Sequence, residues 1–271
     1  MLIYFSSVAL NVEIAAQEIF SFNGISITNA MFTGCISLLI VFGVLLYVSS
    51  KIRNNQYNRF VGLVQWVFNG LVNSIEDIIP DKILARKITP LAVTIFFYVL
   101  FNYWFSVVPG LESIHIGHIP LLRSMTADLN FTVALAIVTM VAVQFYAIKS
   151  LGLFENAKRY FRNPIKDPLG SFEGVLELAG ELSRGIALAL RLFGNAFAGE
   201  VLLAVITVLA GYFASFVLPI FMIFELFIGF IQAYVFFMLT LIFTSLAVAH
   251  TSSDSHANHS VPVTNMVKKL E

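Results

Sequence analysis

The sequence predicts an all-α integral membrane protein with about five membrane-embedded helices and one interfacial amphipathic helix. Of its 271 residues, 58% are hydrophobic and only 12% are charged, whereas soluble domains carry roughly a quarter charged residues. The charged residues leave long gaps, each sufficient for the ~20 apolar residues that cross a bilayer. The gaps separate Glu18 from Lys51, Lys87 from Glu112, Asp128 from Lys149, Glu200 from Glu225, and Glu225 from Asp254.

The composition also excludes several classes of function. The formal net charge is zero, so nothing indicates a nucleic-acid partner or a polybasic membrane anchor. Cys35 is the single cysteine, which excludes an intramolecular disulfide and a cysteine-rich metal site. The sequence contains no nucleotide-binding loop, nucleophile constellation or metal-ligand set. We therefore expect a chain that is not itself an enzyme and carries no cofactor or metal ion.

The first predicted span covers about residues 30–50 and ends at the basic residues Lys51 and Arg53. The next helix, about 58–79, differs because polar residues recur every four positions while large apolar residues fill its other faces. These polar residues are Gln65, Asn69, Asn73 and Asp77. Such a pattern is typical of an amphipathic helix in the membrane interface. Pro80 is expected to end it.

Two further spans are predicted at about 88–108 and 126–148. The loops around them set the topology, because Lys and Arg are retained on the cytoplasmic side. The loops at 51–59, 82–87 and 149–166 are basic, whereas the loop at 109–125 holds a single Lys or Arg residue, Arg123. The pattern predicts an N-terminus outside and a C-terminus in the cytoplasm.

The last two helices are predicted at about 168–209 and 213–249, with a turn near Gly211. A helix of about 40 residues is ~60 Å long, twice the thickness of the hydrocarbon core. Neither helix can therefore stand upright in a bilayer. We predict a long, strongly tilted hairpin, packed against something that covers its polar residues. Residues 1–250 are expected to form a single membrane domain, followed by a cytoplasmic tail at 251–271.

Polar residues inside this hairpin are the candidates for function, because a charge at the membrane centre costs ~2.5–3.5 kcal/mol. The first helix carries Glu173, Glu177, Glu181, Arg184, Arg191, Asn195 and Glu200, and the second carries Glu225 and Gln232. Glu173 and Glu181, near the cytoplasmic start, also fit a plain role in ion pairs or among lipid headgroups.

Helical spacing groups these candidates, since seven residues return within ~20° of the starting direction. Glu177, Arg184 and Arg191 therefore share one face, which Asn195 joins, whereas Glu200 points to the opposite face. Glu225 and Gln232 are also seven residues apart. Each helix thus carries a polar stripe, and the two stripes are suited to line one pathway.

The chemistry of the side chains assigns their roles. An arginine stays protonated at physiological pH and cannot relay protons, so Arg191 would serve as a fixed positive barrier. Carboxyl groups can carry protons once burial disfavours their charged form. All five histidines lie outside the predicted spans. A proton route must therefore use glutamates, polar amides and water.

The run from Ala189 to Glu200, ALRLFGNAFAGE, closely resembles the signature of subunit a of bacterial F-type ATP synthases. Segments 88–96, 126–130 and 231–238 are similar to that family's second-span entry, third-span entry and final helix, and residues 20–32 resemble its approach to the first span. The resemblance implies a stator subunit that faces a rotating ring of c subunits, with peripheral-stalk b subunits as further partners. It also implies two offset half-channels.

By the same resemblance, Arg191 is the essential arginine that keeps the two half-channels from short-circuiting. Four residues match positions on the route to the outside: Asn195, Glu200, Glu225 and Gln232. Glu177 matches a position on the cytoplasmic route, and Asp128 is expected at the outer mouth. Glu173 and Glu181 are added on their position alone.

One departure from the family pattern concerns Glu200 and Glu225, where relatives often pair a glutamate with a histidine. Two nearby carboxylates repel, and one of them should hold its proton. That pair suits a proton relay, and it is also compatible with sodium as the coupling ion. The form of the motif at Gly194 and Glu200 resembles bacterial members, which implies a bacterial inner membrane.

Two other classes of function remain open at the level of sequence. A secondary ion-coupled transporter usually shows paired repeats and broken helices, and neither is visible here. The hypothesis of a purely structural membrane scaffold does not explain why Arg191 lies within an apolar helix.

Overall fold

The structure is a computed structural model that describes residues 17–22, 25–108, 115–116, 119–120, 122–152 and 168–257. Most of the predicted outer loop at 109–125, most of the predicted basic loop at 149–166, and residues 258–271 of the predicted tail lie outside the described residues.

Helices dominate the part of the chain that the structure describes. They are α1 (Asn29–Arg53), α2 (Arg59–Ile78), α3 (Lys82–Ser106), α4 (Leu129–Leu151), α5 (Pro168–Ala210) and α6 (Ala214–Ala257). α1, α3, α4 and the stretch Leu169–Leu246, which covers most of α5 and α6, are long and apolar enough to cross a membrane. The prediction of an all-α membrane protein is confirmed.

The first four helices begin where their sequences provide a capping side chain. The N-cap residues are Thr28, Asn58, Asp81 and Asp128, and each accepts a hydrogen bond from a backbone N–H at the start of its helix. Such side chains satisfy backbone donors that have no partner within the helix. The cap at Asp81 starts α3 before the predicted boundary near residue 88, so the basic segment 82–87 is helical rather than a loop.

Two short antiparallel β-hairpins were not predicted. One pairs β1 (Glu18–Phe22) with β2 (Ile25–Thr28), and the other pairs β3 (His115–Ile116) with β4 (Ile119–Pro120). A signal for the first hairpin was present in the sequence, because Asn23 and Gly24 form a dipeptide that favours tight hairpin turns. Both hairpins lie outside the helical core.

α3 lies at the centre of the helical assembly. It packs against α6 most extensively and also contacts α1 and α2. The contact with α6 is aromatic: the Phe96 ring meets those of Phe230 and Phe237 edge to face, with centroids 6.0 and 6.2 Å apart. α4 packs against α5 and α6 on another side. These contacts hold α6 between α3, α4 and α5.

The outward surfaces of the helices are apolar. Leu39 of α1 is 68% exposed and Trp66 of α2 is 77% exposed, whereas soluble monomers rarely expose large contiguous apolar patches. α2 uses Val61, Leu71 and Ile75 to pack inward. Such a surface fits a lipid environment, in which every backbone polar group must be satisfied within the protein.

The last two helices form a hairpin, joined by a 3₁₀ turn at Gly211–Phe213 and packed against each other. α5 has 43 residues and α6 has 44, so each is ~65 Å long. α6 continues to Ala257, past the predicted end near residue 249. The first residues of the predicted tail, 251–257, are therefore helical, and the cytoplasmic position of the tail stays a prediction.

The turn depends on Gly211, whose φ angle of 50° is left-handed. For a residue with a Cβ atom this conformation costs roughly 1–2 kcal/mol of conformational energy, and the cost is smaller for asparagine than for other residues. We expect Gly211→Val to destabilise the hairpin by about that amount and Gly211→Asn to have a smaller effect.

The thermal stability of the purified assembled complex would measure both substitutions, with Gly43→Ala as the control, because a Cβ at Gly43 meets no atom within 4 Å. Equal stability of the valine and asparagine variants would show that the turn does not need the glycine.

Candidate functional site

The polar stripes of α5 and α6 meet through an amide pair. The Asn195 Nδ2 donates to the Gln232 Oε1 over 2.9 Å. Gln232 is buried, and its Nε2 has no hydrogen-bond partner among the described residues. Two candidates that are 37 residues apart in sequence are thus in direct contact, and a buried donor remains available for water or an incoming group.

Glu225 lies in the same helix contact, closer to the turn than Gln232, and is only 4% exposed. Its carboxyl group rests against the backbone of Gly199, where even a single added carbon would overlap the Glu225 Oε1. The missing side chain therefore admits the carboxyl group next to Glu200. Glu200 is itself half-buried, so the predicted pair of glutamates occupies neighbouring positions on the α5–α6 contact.

The carboxyl group of Glu225 has a third neighbour, which comes from α3. The Tyr103 Oη donates to the Glu225 Oε1 over 2.6 Å. The tyrosine ring is almost completely buried and lies against Gly229, one turn after Glu225. Three helices thus meet at Glu225.

Arg191 has a different environment from the buried Glu225 and the half-buried Glu200. It lies near the middle of α5 and its side chain is exposed, with no hydrogen bond or ion pair to any described residue. The exposed face around it also contains Ala187, Leu190, Gly194, Asn195 and Ala198. Asn195 belongs both to this outward face and to the amide pair with Gln232, so it connects Arg191 to the buried cluster.

Toward the start of α5, Glu181 joins three helices. The Gln144 Nε2 of α4 donates to the Glu181 Oε2 over 2.6 Å, and the Arg184 Nη2 lies 3.9 Å from the Glu181 Oε1. The guanidinium of Arg184 also lies over the ring of Phe243 in α6, 5.2 Å from its centre. Glu181 and Arg184 therefore connect α4, α5 and α6.

The other predicted residues are more dispersed. Glu177 is half-buried and Glu173 is exposed, both near the start of α5. Asp128 is buried at the start of α4, where its Oδ1 accepts from the backbone N–H of Asn130 over 2.9 Å. A capping role accounts for that contact, so a role for Asp128 at an outer mouth stays a prediction.

Tyr103, Gly199 and Gln144 belong to these clusters, but the sequence reasoning missed them. Tyr103 stands in an aromatic run, and a tyrosine in such a run has the signature of ordinary packing or an interfacial belt. Gly199 lies inside the conspicuous run 189–200, yet its role depends on what packs against it. Only the three-dimensional contacts identify these residues.

Comparison with known proteins gives a consistent result. The family described as ATP synthase A chain matches residues 31–245. ATP synthase subunit a of Acidothermus cellulolyticus is 30% identical, over 92% of this chain and 89% of the relative. The subunit a of Mycobacterium bovis is 30% identical, over 89% and 95%. That of Aliivibrio fischeri is 32% identical, over 77% and 80%.

The contact between Asn195 and Gln232 generates a testable prediction. In a Cys35→Ser background, cysteines at both positions should be joined by a short bifunctional thiol reagent. The control pairs Asn195→Cys with Ile223→Cys, because Ile223 lies on an exposed face of α6. The cross-link would be read as resistance of the hairpin to separation after cleavage at an introduced protease site near Gly211. Equal cross-linking of both pairs would contradict the contact.

Proposed function

Because the chain belongs to the ATP synthase A chain family, we propose that it is the ion-translocating stator subunit of a rotary F-type ATP synthase. In this role it provides two offset half-channels that deliver protons to the ring of c subunits and remove them. Arg191 separates the two half-channels. The chain does not catalyse ATP synthesis itself, since its part is to couple ion flow to rotation of the ring.

The observation that carries the proposal is the exposed position of Arg191 near the middle of a long apolar helix. A guanidinium facing lipid at that depth is costly, so a protein partner with an anionic group must cover this face. The neighbouring Ala187, Gly194 and Ala198 are small, which allows another helix to approach the backbone closely. A c subunit that presents a carboxylate has the required properties.

The outer half-channel runs along the polar groups between α5 and α6. Asn195 is its innermost member, adjacent to Arg191, and Gln232 contacts it directly. Glu200 and Glu225 follow toward the turn at Gly211–Phe213. Each amide binds water and each carboxyl group takes up and releases a proton, which gives a route that needs no histidine. Asp128 would contribute at the outer mouth.

The inner half-channel starts near the beginning of α5 and uses Glu177, with Glu181 and Glu173 as additional candidates. Glu181 already has contacts with Gln144 and Arg184. Those contacts also support a plain structural role in tying α4 to α5, so Glu177 is the stronger candidate for proton transfer.

We place the chain in a bacterial inner membrane, with its N-terminus outside and its C-terminus in the cytoplasm. α2 would lie in the interface, and the peripheral-stalk b subunits would be further partners. The tilted hairpin of α5 and α6 would form the main contact with the ring, within a single membrane domain. Sodium remains the alternative coupling ion, since two carboxyl groups, amide oxygens and a phenol also suit a small cation.

One prediction of the proposed function concerns the positive charge at Arg191. Arg191→Ala should abolish ATP-driven proton pumping in membrane vesicles while the complex stays assembled, because the barrier between the half-channels is removed. Arg191→Lys should also lose most pumping, since a lysine is a compact charge without the planar fork of arginine and can lose its proton. Pumping would be followed with a pH-sensitive dye, with and without sodium.

Ser183→Ala is a suitable control for Arg191, because Ser183 is exposed on α5 two turns before it. Normal pumping by the Arg191→Ala complex would show that the proposal is wrong. If pumping by the unaltered complex requires sodium, the coupling ion is sodium and not the proton.

Another prediction concerns the contact between Gly199 and the Glu225 carboxyl group. Gly199→Ala should push that group away from α5 and lower passive proton flux through the membrane sector about tenfold, which corresponds to a displacement cost of about 1.4 kcal/mol. Gly180→Ala is the matched control on the same helix, since a Cβ added there would meet only the Arg184 Nη1, at 4.0 Å. Equal flux in both variants would contradict a role for this contact.

A further inference from the structure

We propose that Tyr103 is a positioning residue that holds the carboxyl group of Glu225 in the orientation needed for proton transfer. The inference rests on the proposed function and adds to it a residue of α3, a helix that supplies none of the predicted half-channel residues.

The geometry of the contact is specific. The Tyr103 Oη lies 2.6 Å from the Glu225 Oε1, which is in the range of hydrogen bonds to a charged carboxylate oxygen. Tyr103 is 1% exposed and Glu225 is 4% exposed. Water therefore competes little for either group, and a hydrogen bond between them is stronger than it would be at a surface.

The ring of Tyr103 is held in place by its own packing. It lies against Gly229, where a side chain of any size would overlap the ring carbons. Gly229 follows Glu225 by one helical turn, so the ring and the carboxyl group share one face of α6. The tyrosine hydroxyl is thus fixed relative to the glutamate backbone.

This arrangement gives the two carboxyl oxygens of Glu225 different roles. The Tyr103 hydroxyl donates its hydrogen bond to the Oε1 and keeps its own proton. The Oε2 is then the oxygen that takes up the translocated proton and releases it. Gly199 closes the carboxyl group in from the α5 side. Without the phenol, the carboxyl group is free to rotate away from the position next to Glu200.

Plain packing is the competing explanation, because buried tyrosines usually find a partner for their hydroxyl. Packing alone requires the ring against Gly229 and would be met equally by phenylalanine. The two explanations therefore differ in what happens when only the hydroxyl is removed.

The test is Tyr103→Phe in the assembled complex, with Tyr98→Phe as the matched control. Tyr98 lies on the same helix, and its hydroxyl is 4.0 Å from the Met125 Sδ. We expect Tyr103→Phe to lower passive proton flux about tenfold, as for loss of a hydrogen bond to a charged group, while the control keeps normal flux.

Infrared spectroscopy gives a second measurement, which should not change if Tyr103 only fills space. The carboxyl C=O stretching band of Glu225 is identified by its absence in Glu225→Gln. Tyr103→Phe should move that band to higher wavenumber, because the C=O group loses its donor. If this variant fails to assemble, fluorinated tyrosine at position 103 retains the ring shape and strengthens the donor, and the band should move to lower wavenumber.

An unchanged band together with unchanged flux in Tyr103→Phe, or an unchanged band with fluorinated tyrosine, would overturn the inference. ATP-driven pumping by Arg191→Ala and passive flux through Glu225→Gln, measured in the same vesicles, separate this result from the proposed function. If Arg191→Ala loses pumping and Glu225→Gln loses flux while Tyr103→Phe is normal, only the role of Tyr103 is wrong. If Arg191→Ala pumps normally and Glu225→Gln conducts normally, the proposed function and the role of Tyr103 both fail.

Discussion

Polar side chains within a lipid bilayer must find partners inside the protein, and this constraint accounts for most of the arrangement described above. A bilayer core offers no water to an unpaired amide, hydroxyl or carboxyl group. The chain meets the requirement by pairing polar groups between helices: Asn195 with Gln232, Tyr103 with Glu225, and Gln144 with Glu181. Each pair also fixes how two helices lie against each other.

Close approach of the helices makes these pairs possible. Gly199 admits a carboxyl group and Gly229 admits an aromatic ring, at positions where any side chain would collide. Between helices in lipid there is little hydrophobic driving force, so small residues and interhelical hydrogen bonds carry a large part of the association. The same glycines that stabilise the helix contacts therefore shape the route that we propose for protons.

Arg191 and Glu225 occupy opposite environments on one hairpin, which fits their different chemistry. Glu225 is enclosed by three helices, whereas Arg191 faces outward among small residues. In the route that we propose, the carboxyl group of Glu225 exchanges protons and benefits from a defined orientation and limited access to water. In the proposed function Arg191 is a fixed charge that acts on a passing partner and must be presented at the surface, and Asn195 links the two environments.

The sequence by itself determined the membrane class, the two long final helices and the candidates at Arg191, Asn195, Glu225 and Gln232. These features depend on composition, helical spacing and a contiguous run of residues, all of which are local in the chain. It did not predict the first β-hairpin, despite the Asn23-Gly24 signal, nor the continuation of α6 to Ala257.

Only the tertiary structure decided which groups meet. Tyr103 and Glu225 are 122 residues apart in sequence, and nothing local distinguishes that tyrosine from its aromatic neighbours. The importance of Gly199 and Gly229 likewise depends on what lies opposite them. Helical periodicity places a residue on a face, but the packing of helices distant in sequence decides what that face contacts.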